Sequence, residues 1–197
     1  MDPRDLDRRV LENIDHILAS VGVEDLGLPT PCTDWTLDGL LRHMIGHHRG
    51  FAAAAEGATA DPNVWDGATF GTDPYATYHD AAALVSQAFA ADDLLERRLQ
   101  VYGYGTFSAS VALNMHSVDF LAHGCDVAKT IGVDDALDEE LCTIGLRIAS
   151  RWPDTPATWG PTGPFRARVP VPDDATAGER LMGFLGRSPG WTAAQSR

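Results

Sequence analysis

The sequence has few positive charges and almost no lysine. Its 15 Lys and Arg residues stand against 28 Asp and Glu residues, a formal net charge of −13, and Lys129 is the one lysine among 197 residues. No run of basic residues offsets this balance. Because phosphate groups repel a surface of this sign, we do not expect the chain to bind nucleic acid or an anionic membrane.

Cysteine and long apolar runs are scarce as well. Cys32, Cys125 and Cys142 are too few and too widely spaced for a disulfide framework or a structural zinc site built on cysteines. No segment approaches the roughly 18 apolar residues that a membrane span requires. The charged N-terminus also lacks the apolar stretch of a secretory signal. We therefore expect a cytoplasmic protein.

Helical periodicity is what the sequence does contain. Apolar residues recur at helical spacing in five segments, and several of these segments begin with a capping residue or end at a glycine. The pattern predicts helices from the Asp2 cap to Gly22, from the Thr36 cap to Gly57, from the Asp73 cap through Phe89, from Ser108 or Ser110 to Gly132, and from about Asp135 to Trp152.

The remaining segments are predicted to connect or extend these helices. Residues 57–72 are expected to form a long loop, and residues 92–106 a break with a short extended piece. After a proline-rich stretch, residues 165–171 suit a short strand, and a capping box at 176–179 predicts a last short helix. The fold class is therefore mainly all-α: a single domain over residues 1–197, with an up-down four-helix bundle at about 3–152 and a strand/helix extension at about 153–190.

Two of the predicted helices carry paired groups that can bind a metal. His43 and His47 stand four residues apart on the second helix, and Asp119 and His123 have the same spacing on the fourth. Residues at this spacing share a helix face, so two side chains can approach one ion. Two imidazoles and one carboxylate suit a divalent metal and leave coordination positions for a substrate.

A role that does not involve metal binding remains open for each of these residues. A histidine on a helix is more often solvated or satisfied in the core than a metal ligand, and spacing alone does not show that the two helices face each other. Zinc is the metal favoured by the ligand types, but nickel and iron suit them equally. Four arginines that could bind a carboxylate are more simply interpreted as surface charges: Arg42, Arg49, Arg147 and Arg151.

Other histidines and one acidic residue belong to the candidate set in secondary roles. His47 and His116 are each interpreted as an outer residue that supports a ligand, as a proton carrier or as a fourth ligand. Asp126 is placed to orient the imidazole of His123 or, equally, to face the surface. The other three histidines are expected to face solvent: His16, His48 and His79.

Four segments resemble the DinB/YfiT-like superfamily, in particular its mycothiol-dependent maleylpyruvate isomerase-like metal-binding branch. The first is residues 30–35 (TPCTDW), which His43 follows eight residues after the tryptophan. The others are residues 104–107 (YGTF), 119–132 (DFLAHGCDVAKTIG) and 180–189 (RLMGFLGRSP). They occur in the order of the family, and the resemblance extends from about residue 5 to residue 190.

The resemblance implies a DinB-like four-helix bundle that holds a metal with His43, Asp119 and His123. It also implies a low-molecular-weight thiol as co-substrate and a small-molecule substrate. The sequence departs from the isomerase pattern at two positions: Asp119 stands where the isomerase has Glu, and Cys125 stands where the family usually has Trp. The shorter Asp119 side chain is expected to draw the metal toward the fourth helix or to weaken its binding.

Three functions compete at this point. The first is a metal-dependent, thiol-dependent transferase or isomerase that acts on a small electrophile. The second is a non-catalytic protein that binds a metal or a small ligand on the same bundle. The third is a helical interaction module in which the histidines are incidental. The oligomeric state stays open, with a homodimer as one alternative.

Overall fold

The computed structural model describes residues 1–33, 35–58, 61–133, 137–160 and 163–193. The described residues are mostly helical, with one small antiparallel sheet. The elements are α1 (Pro3–Leu18), α2 (Leu37–Ala55), α3 (Pro62–Trp65), α4 (Pro74–Phe89), β1 (Arg98–Val101), β2 (Gly105–Ser108), α5 (Ala109–Ile131), α6 (Glu139–Ala149) and α7 (Ala177–Phe184). The all-α prediction is confirmed.

The helix termini follow the capping signals. The Asp2 carboxylate accepts a hydrogen bond from the Arg4 amide, and Asp73 accepts one from the Ala76 amide, each just before a proline in the first turn. The predicted box between Thr176 and Glu179 is present at the start of α7. Gly132 ends α5 with a φ of 72°. Local sequence therefore determines these boundaries.

Four helices form the bundle, and their order around it differs from their order in the chain. α1 packs mainly on α5, and α2 packs mainly on α4. Smaller contacts join α2 to α5 and α1 to α4, so α1 and α2 lie at opposite corners. The faces that meet carry the buried apolar residues of the core. Within the described ranges, none of the helices has the length and hydropathy to cross a bilayer.

Several predicted boundaries are wrong by a few residues. α1 ends at Leu18 instead of Gly22, and a short 3-10 turn follows at Val23–Asp25. α6 begins at Glu139, where the Asp138 carboxylate caps the Leu141 amide, and it ends at Ala149 instead of Trp152. The predicted start of this helix at Asp135 lies outside the described residues.

Two predicted connectors contain regular structure. The expected loop at residues 57–72 includes the short helix α3, which Asp61 caps through the Asn63 amide. The break at residues 92–106 contributes to the hairpin of β1 and β2. Residues 165–171, in contrast, form no strand: only Phe165 makes an isolated bridge, with Trp159. Regular strand pairing at 165–171 needs a partner strand, and none lies beside it in the described part of the chain.

The C-terminal extension folds back on the bundle. α7 packs on α6. Four aromatic rings from the chain that follows α6 contact one another: Trp152, Trp159, Phe165 and Phe184. Gly186 then adopts a φ of 81°, a left-handed conformation that a side chain would strain, and the Arg187 amide donates to the Met182 carbonyl. This turn directs the Arg187 side chain toward α5.

Candidate metal centre

The two predicted pairs of groups meet between α2 and α5. Nε2 of His43 lies 3.5 Å from Oδ2 of Asp119, and Nδ1 of His47 lies 3.3 Å from the same oxygen. On the other side of the carboxylate, Nε2 of His123 lies 3.4 Å from Oδ1. The Asp119 carboxylate is therefore the centre of the cluster, with one histidine of its own helix and two of α2 around it.

Helical geometry accounts for this convergence. His43 and His47 occupy successive turns of one face of α2, so their rings lie against each other, tilted by 46°, with centroids 3.7 Å apart. His43 and His123 meet across the helix interface with centroids 4.9 Å apart, edge to face. The side chains of His43, His47 and Asp119 are 17%, 18% and 22% exposed, so the cluster opens to solvent on one side.

Three donor atoms of the cluster are better placed to bind a cation than to form hydrogen bonds with one another. Nε2 of His43, Nδ1 of His47 and Oδ2 of Asp119 are buried without a hydrogen-bond partner among the described residues. Donor atoms of these three residues lie within 4.8 Å of one another. A tetrahedral site with metal–ligand bonds of about 2.0–2.1 Å has edges of about 3.3–3.4 Å, close to the nitrogen–oxygen separations given above. The donor set therefore suits a divalent metal.

The electrostatics of the cluster keep one ligand neutral and another ionised. Burial, together with the nearby His47, lowers the pKa of His43 to about 4, so its ring offers a lone pair at neutral pH. Burial alone would raise the pKa of Asp119, but the charge of His123 and the nearby His43 and His47 rings hold it well below its usual range. At His43 and Asp119, a neutral imidazole beside a carboxylate is the protonation state that metal binding requires.

A second carboxylate contacts the His123 ring at Nδ1, the nitrogen that faces away from Asp119. Oδ2 of Asp126 lies 3.0 Å from Nδ1 of His123, and the Arg187 guanidinium donates to both Asp126 oxygens. Burial alone would lower the pKa of His123, but Asp119 and Asp126 raise it to about 9. This arrangement holds the His123 ring with Nε2 toward Asp119, as outer carboxylates do for metal-bound histidines in general.

Aromatic side chains form the walls of the cluster. The Trp35 ring lies 4.5 Å from the His43 ring, at the end of a turn in which the Thr30 hydroxyl donates to the Cys32 and Trp35 carbonyls. Trp65 of α3 meets the His47 ring edge-on at 5.4 Å. The turn that enters α2 and the short helix α3 thus hold the two histidines from opposite ends.

The structure brings together His43, Asp119 and His123, and it adds His47 and Asp126 to them. His116 lies outside this cluster. Its Nε2 contacts His48 and its Nδ1 contacts Asp7. The expectation that His48 faces solvent is wrong, because its side chain is fully buried. His16 and His79 are exposed as expected.

Sequence reasoning missed Arg187, whereas it interpreted Arg42 as a surface charge. Arg187 comes from the extension, 61 residues after Asp126, and no local spacing connects the two. Arg42 pairs with Asp38 on its own helix, donates to the Ala68 carbonyl and lies over the Phe70 ring. Arg42 therefore has a structural role at the edge of α2, as the simpler interpretation expected.

Comparison with known families agrees with this geometry. The family model described as the mycothiol maleylpyruvate isomerase N-terminal domain matches residues 8–128, which include α2, most of α5 and all the candidate ligands. The chain belongs to this family. The resemblance to the mycothiol-dependent maleylpyruvate isomerase-like branch is thereby confirmed, although the segment at residues 180–189 lies outside the match.

Similar proteins cover the chain to different extents. Two uncharacterized proteins of Mycobacterium tuberculosis, from strains CDC 1551 / Oshkosh and ATCC 25618 / H37Rv, are each 30% identical to this chain over 188 residues. The match covers 95% of this chain and 99% of each relative. A crystal structure of the mycothiol-dependent maleylpyruvate isomerase matches with a TM-score of 0.58 at 18% identity, over 75% of this chain and 66% of that chain. A histidine-to-alanine mutant of that enzyme gives a TM-score of 0.57. This likeness shows the shared fold, over slightly less than two thirds of the isomerase.

Proposed function

We propose that the protein is a metal-dependent enzyme that uses a low-molecular-weight thiol of the mycothiol type in a transfer or isomerisation reaction of a small electrophile. The observation that carries the proposal is the convergence of His43, His47 and His123 on the Asp119 carboxylate, with three donor atoms that have no hydrogen-bond partner in the described part of the chain. Membership of the isomerase family supports the thiol, because the solved relative is described as mycothiol-dependent.

The proposed ligands are the three that the resemblance implies, His43, Asp119 and His123. The geometry supports His47 as a further ligand, because its donor atom lies within 4.8 Å of those of His43 and Asp119, whereas His123 faces the other Asp119 oxygen. A divalent cation at these residues, with zinc preferred by the ligand types, supplies the Lewis acidity that makes a thiolate available at neutral pH. Nickel or iron would suit the same donors. A thiolate can add to a double bond of an electrophile and later leave, which is the chemistry that an isomerase of this family needs.

The protein's own groups position the reaction. Asp126, paired with Arg187, holds the His123 ring so that Nε2 points to Asp119. Trp35 and Trp65 enclose the histidines and limit access of water, which strengthens the electrostatic interactions inside. The partial exposure of His43, His47 and Asp119 leaves one side open for a small molecule.

By the resemblance given above, Asp119 stands where the isomerase has a glutamate, so the proposed carboxylate ligand is one methylene shorter. In this chain the helices α2 and α5 bring His43 and His47 to within 3.5 Å of the Asp119 oxygen, so the shorter side chain still reaches both histidines. We therefore propose that Asp119 serves as the acidic ligand without a shift of either helix.

Metal analysis is the first test. Purified protein should bind one equivalent of Zn²⁺ or Co²⁺, and His43→Ala and Asp119→Asn should each lower the affinity by at least about 100-fold. His16→Ala is the matched control, because His16 is an exposed histidine of α1 and should leave the affinity unchanged. Stoichiometric binding that survives both ligand variants would contradict the assignment.

Turnover of the electrophile separates catalysis from simple binding. Metal-loaded protein should accelerate either the mycothiol-dependent isomerisation of maleylpyruvate, which regenerates the thiol, or the transfer of the thiol to another small electrophile, which consumes it, and chelation should abolish the acceleration. Metal binding without turnover across a panel of thiols and electrophiles would favour the alternative, a non-catalytic metal-binding or ligand-binding bundle. We propose a cytoplasmic location as well, because three widely spaced cysteines are too few for the disulfide framework of a small secreted domain.

A further inference from the structure

A second polar chain crosses the core beside the candidate metal centre. Oδ1 of Asp7 on α1 lies 2.6 Å from Nδ1 of His116 on α5, and Nε2 of His116 lies 3.1 Å from Nδ1 of His48 on α2. The Ser117 hydroxyl also donates to Oδ1 of Asp7. Asp7, His116 and His48 therefore connect three of the four bundle helices through two consecutive hydrogen bonds.

This chain is sealed inside the protein and does not touch the proposed ligands. Asp7 is 2% exposed, and His48 and His116 are fully buried. Phe120 stacks on the His48 ring at 4.0 Å and lies 4.3 Å from the His116 ring. Buried polar groups cost free energy unless they are hydrogen-bonded, and an apolar set of similar volume would stabilise the core at least as well. A contribution to stability alone is therefore a weak reason for these three residues.

A hydrogen bond constrains the relative orientation of two helices more strongly than an apolar contact does. A rotation of α2 by about 10° moves atoms about 6 Å from its axis by about 1 Å. Metal sites tolerate errors of about 0.2 Å in bond length. Close packing of the apolar side chains of α2 already opposes large rotations, but the burial of apolar area adds no preferred direction of its own. The bond from His48 to His116 does resist such a rotation, because both ring nitrogens must stay aligned.

His48 is well placed to exert this control. It follows His47 directly in α2, so any rotation that moves one side chain moves the other by the same angle. Its partner His116 is anchored to Asp7 of α1, which packs closely on α5. We infer that Asp7, His116 and His48 are positioning residues that set the rotation of α2 and thereby aim His43 and His47 at Asp119. The inference rests on the proposed function, because it assigns a role toward the proposed metal.

The decisive variant breaks the polar chain with apolar side chains of similar shape. Asp7→Leu combined with His116→Phe replaces two of its three residues and takes away the hydrogen-bond partner of His48, and His116 already lies among Phe51, Phe89 and Phe120. We expect Co²⁺ affinity to fall at least tenfold, with a shifted visible absorption band that reports changed coordination geometry. His48→Phe, which keeps the stack on Phe120, should have the same two effects.

Two controls distinguish positioning from a general loss of stability. Val10→Ala removes buried apolar contacts of α1, since Val10 is fully buried about one turn after Asp7, but it should leave the Co²⁺ affinity and spectrum unchanged. Asp7→Asn keeps an oxygen that can accept from His116, so it should restore most of the affinity that the apolar variant loses. Metal affinity depends on the direction of each ligand atom more strongly than the free energy of unfolding does, so the two measurements distinguish the two effects.

The outcomes separate the two proposals. Wild-type affinity and spectrum in the folded apolar variant would overturn the inference and leave the proposed function intact. If that variant does not fold, unchanged Co²⁺ binding in His48→Phe would overturn it equally, and weakened binding with a shifted band would support it. Failure of the wild-type protein to bind Co²⁺ or Zn²⁺ would overturn the proposed function itself.

Discussion

The guanidinium of Arg187 lies 3.0 Å from Oδ2 of Asp126, and that oxygen also lies 3.0 Å from Nδ1 of His123. The Asp126 side chain is 1% exposed and that of Arg187 is 10% exposed, so their pairing takes place out of water. This contact connects the C-terminal extension to the candidate metal centre through a single carboxylate. It gives the extension a direct influence on a proposed ligand.

Replacement of Arg187 should destabilise the protein. Arg187→Met removes the guanidinium that pairs with both oxygens of the buried Asp126 carboxylate, and breaking a buried pair by removing one partner typically costs about 3–5 kcal/mol. Chemical denaturation measures the free energy of unfolding. Arg8→Met is the control, because the ion pairs of Arg8 with Asp5 and Glu12 are solvent-exposed and its loss should have little effect. Equal effects of the two substitutions would contradict the role of the buried pair.

Metal addition should stabilise the folded protein. Because the proposed ligands converge only in the folded state, Zn²⁺ at about 100 times its Kd should raise the free energy of unfolding by about 2.7 kcal/mol. Thermal or denaturant unfolding with and without Zn²⁺ measures this difference. Asp119→Asn should abolish it, whereas His79→Ala, which changes an exposed histidine of α4, should preserve it. A Zn²⁺ effect that Asp119→Asn leaves intact would mean that the metal binds elsewhere.

Two glycines of α2 make room for α3. A Cβ atom at Gly50 would lie 2.2 Å from the Trp65 ring, and one at Gly46 would lie 1.9 Å from the Trp65 carbonyl oxygen. Gly50→Ala should therefore displace Trp65 and destabilise the protein by about 1–3 kcal/mol. It should also weaken metal binding, because Trp65 packs against the His47 ring.

A glycine with free space provides the comparison. A Cβ at Gly178 of α7 would meet nothing closer than 3.8 Å, so Gly178→Ala should change the free energy of unfolding by less than about 1 kcal/mol. Measurement of both variants by denaturation, with metal affinity determined alongside, checks the prediction. Tolerance of Gly50→Ala at full metal affinity would show that Trp65 does not hold His47.

Cys142 should be chemically inert in the folded protein. Burial, with smaller contributions from Glu139 and Asp138, raises the pKa of the Cys142 thiol to about 12. A raised thiol pKa keeps the unreactive protonated form, so at pH 8 the thiolate fraction is about one in ten thousand. Native-state alkylation followed by mass spectrometry should label the half-buried Cys32 well before Cys142. Rapid labelling of Cys142 without unfolding would contradict the assigned environment.

Much of the local structure could be predicted from the sequence because its causes are local. Asp-Pro pairs begin α1 and α4, Gly132 ends α5, and the Thr176–Glu179 box begins α7. The i, i+4 spacing likewise placed His43 with His47 and Asp119 with His123, because helix geometry alone puts such residues on one face. These features depend on a few neighbouring residues and on backbone geometry.

Contacts between distant segments were decided only by the tertiary structure. Periodicity showed His48 as one more polar residue on α2, but the packing of α2 on α5 buries it against His116 and Phe120. Arg187 reaches Asp126 across 61 residues because Gly186 turns the chain back after α7. The sequence by itself determined which faces carry the ligands. How those faces are rotated and paired depends on burial shared among all four bundle helices, and no single segment contains that information.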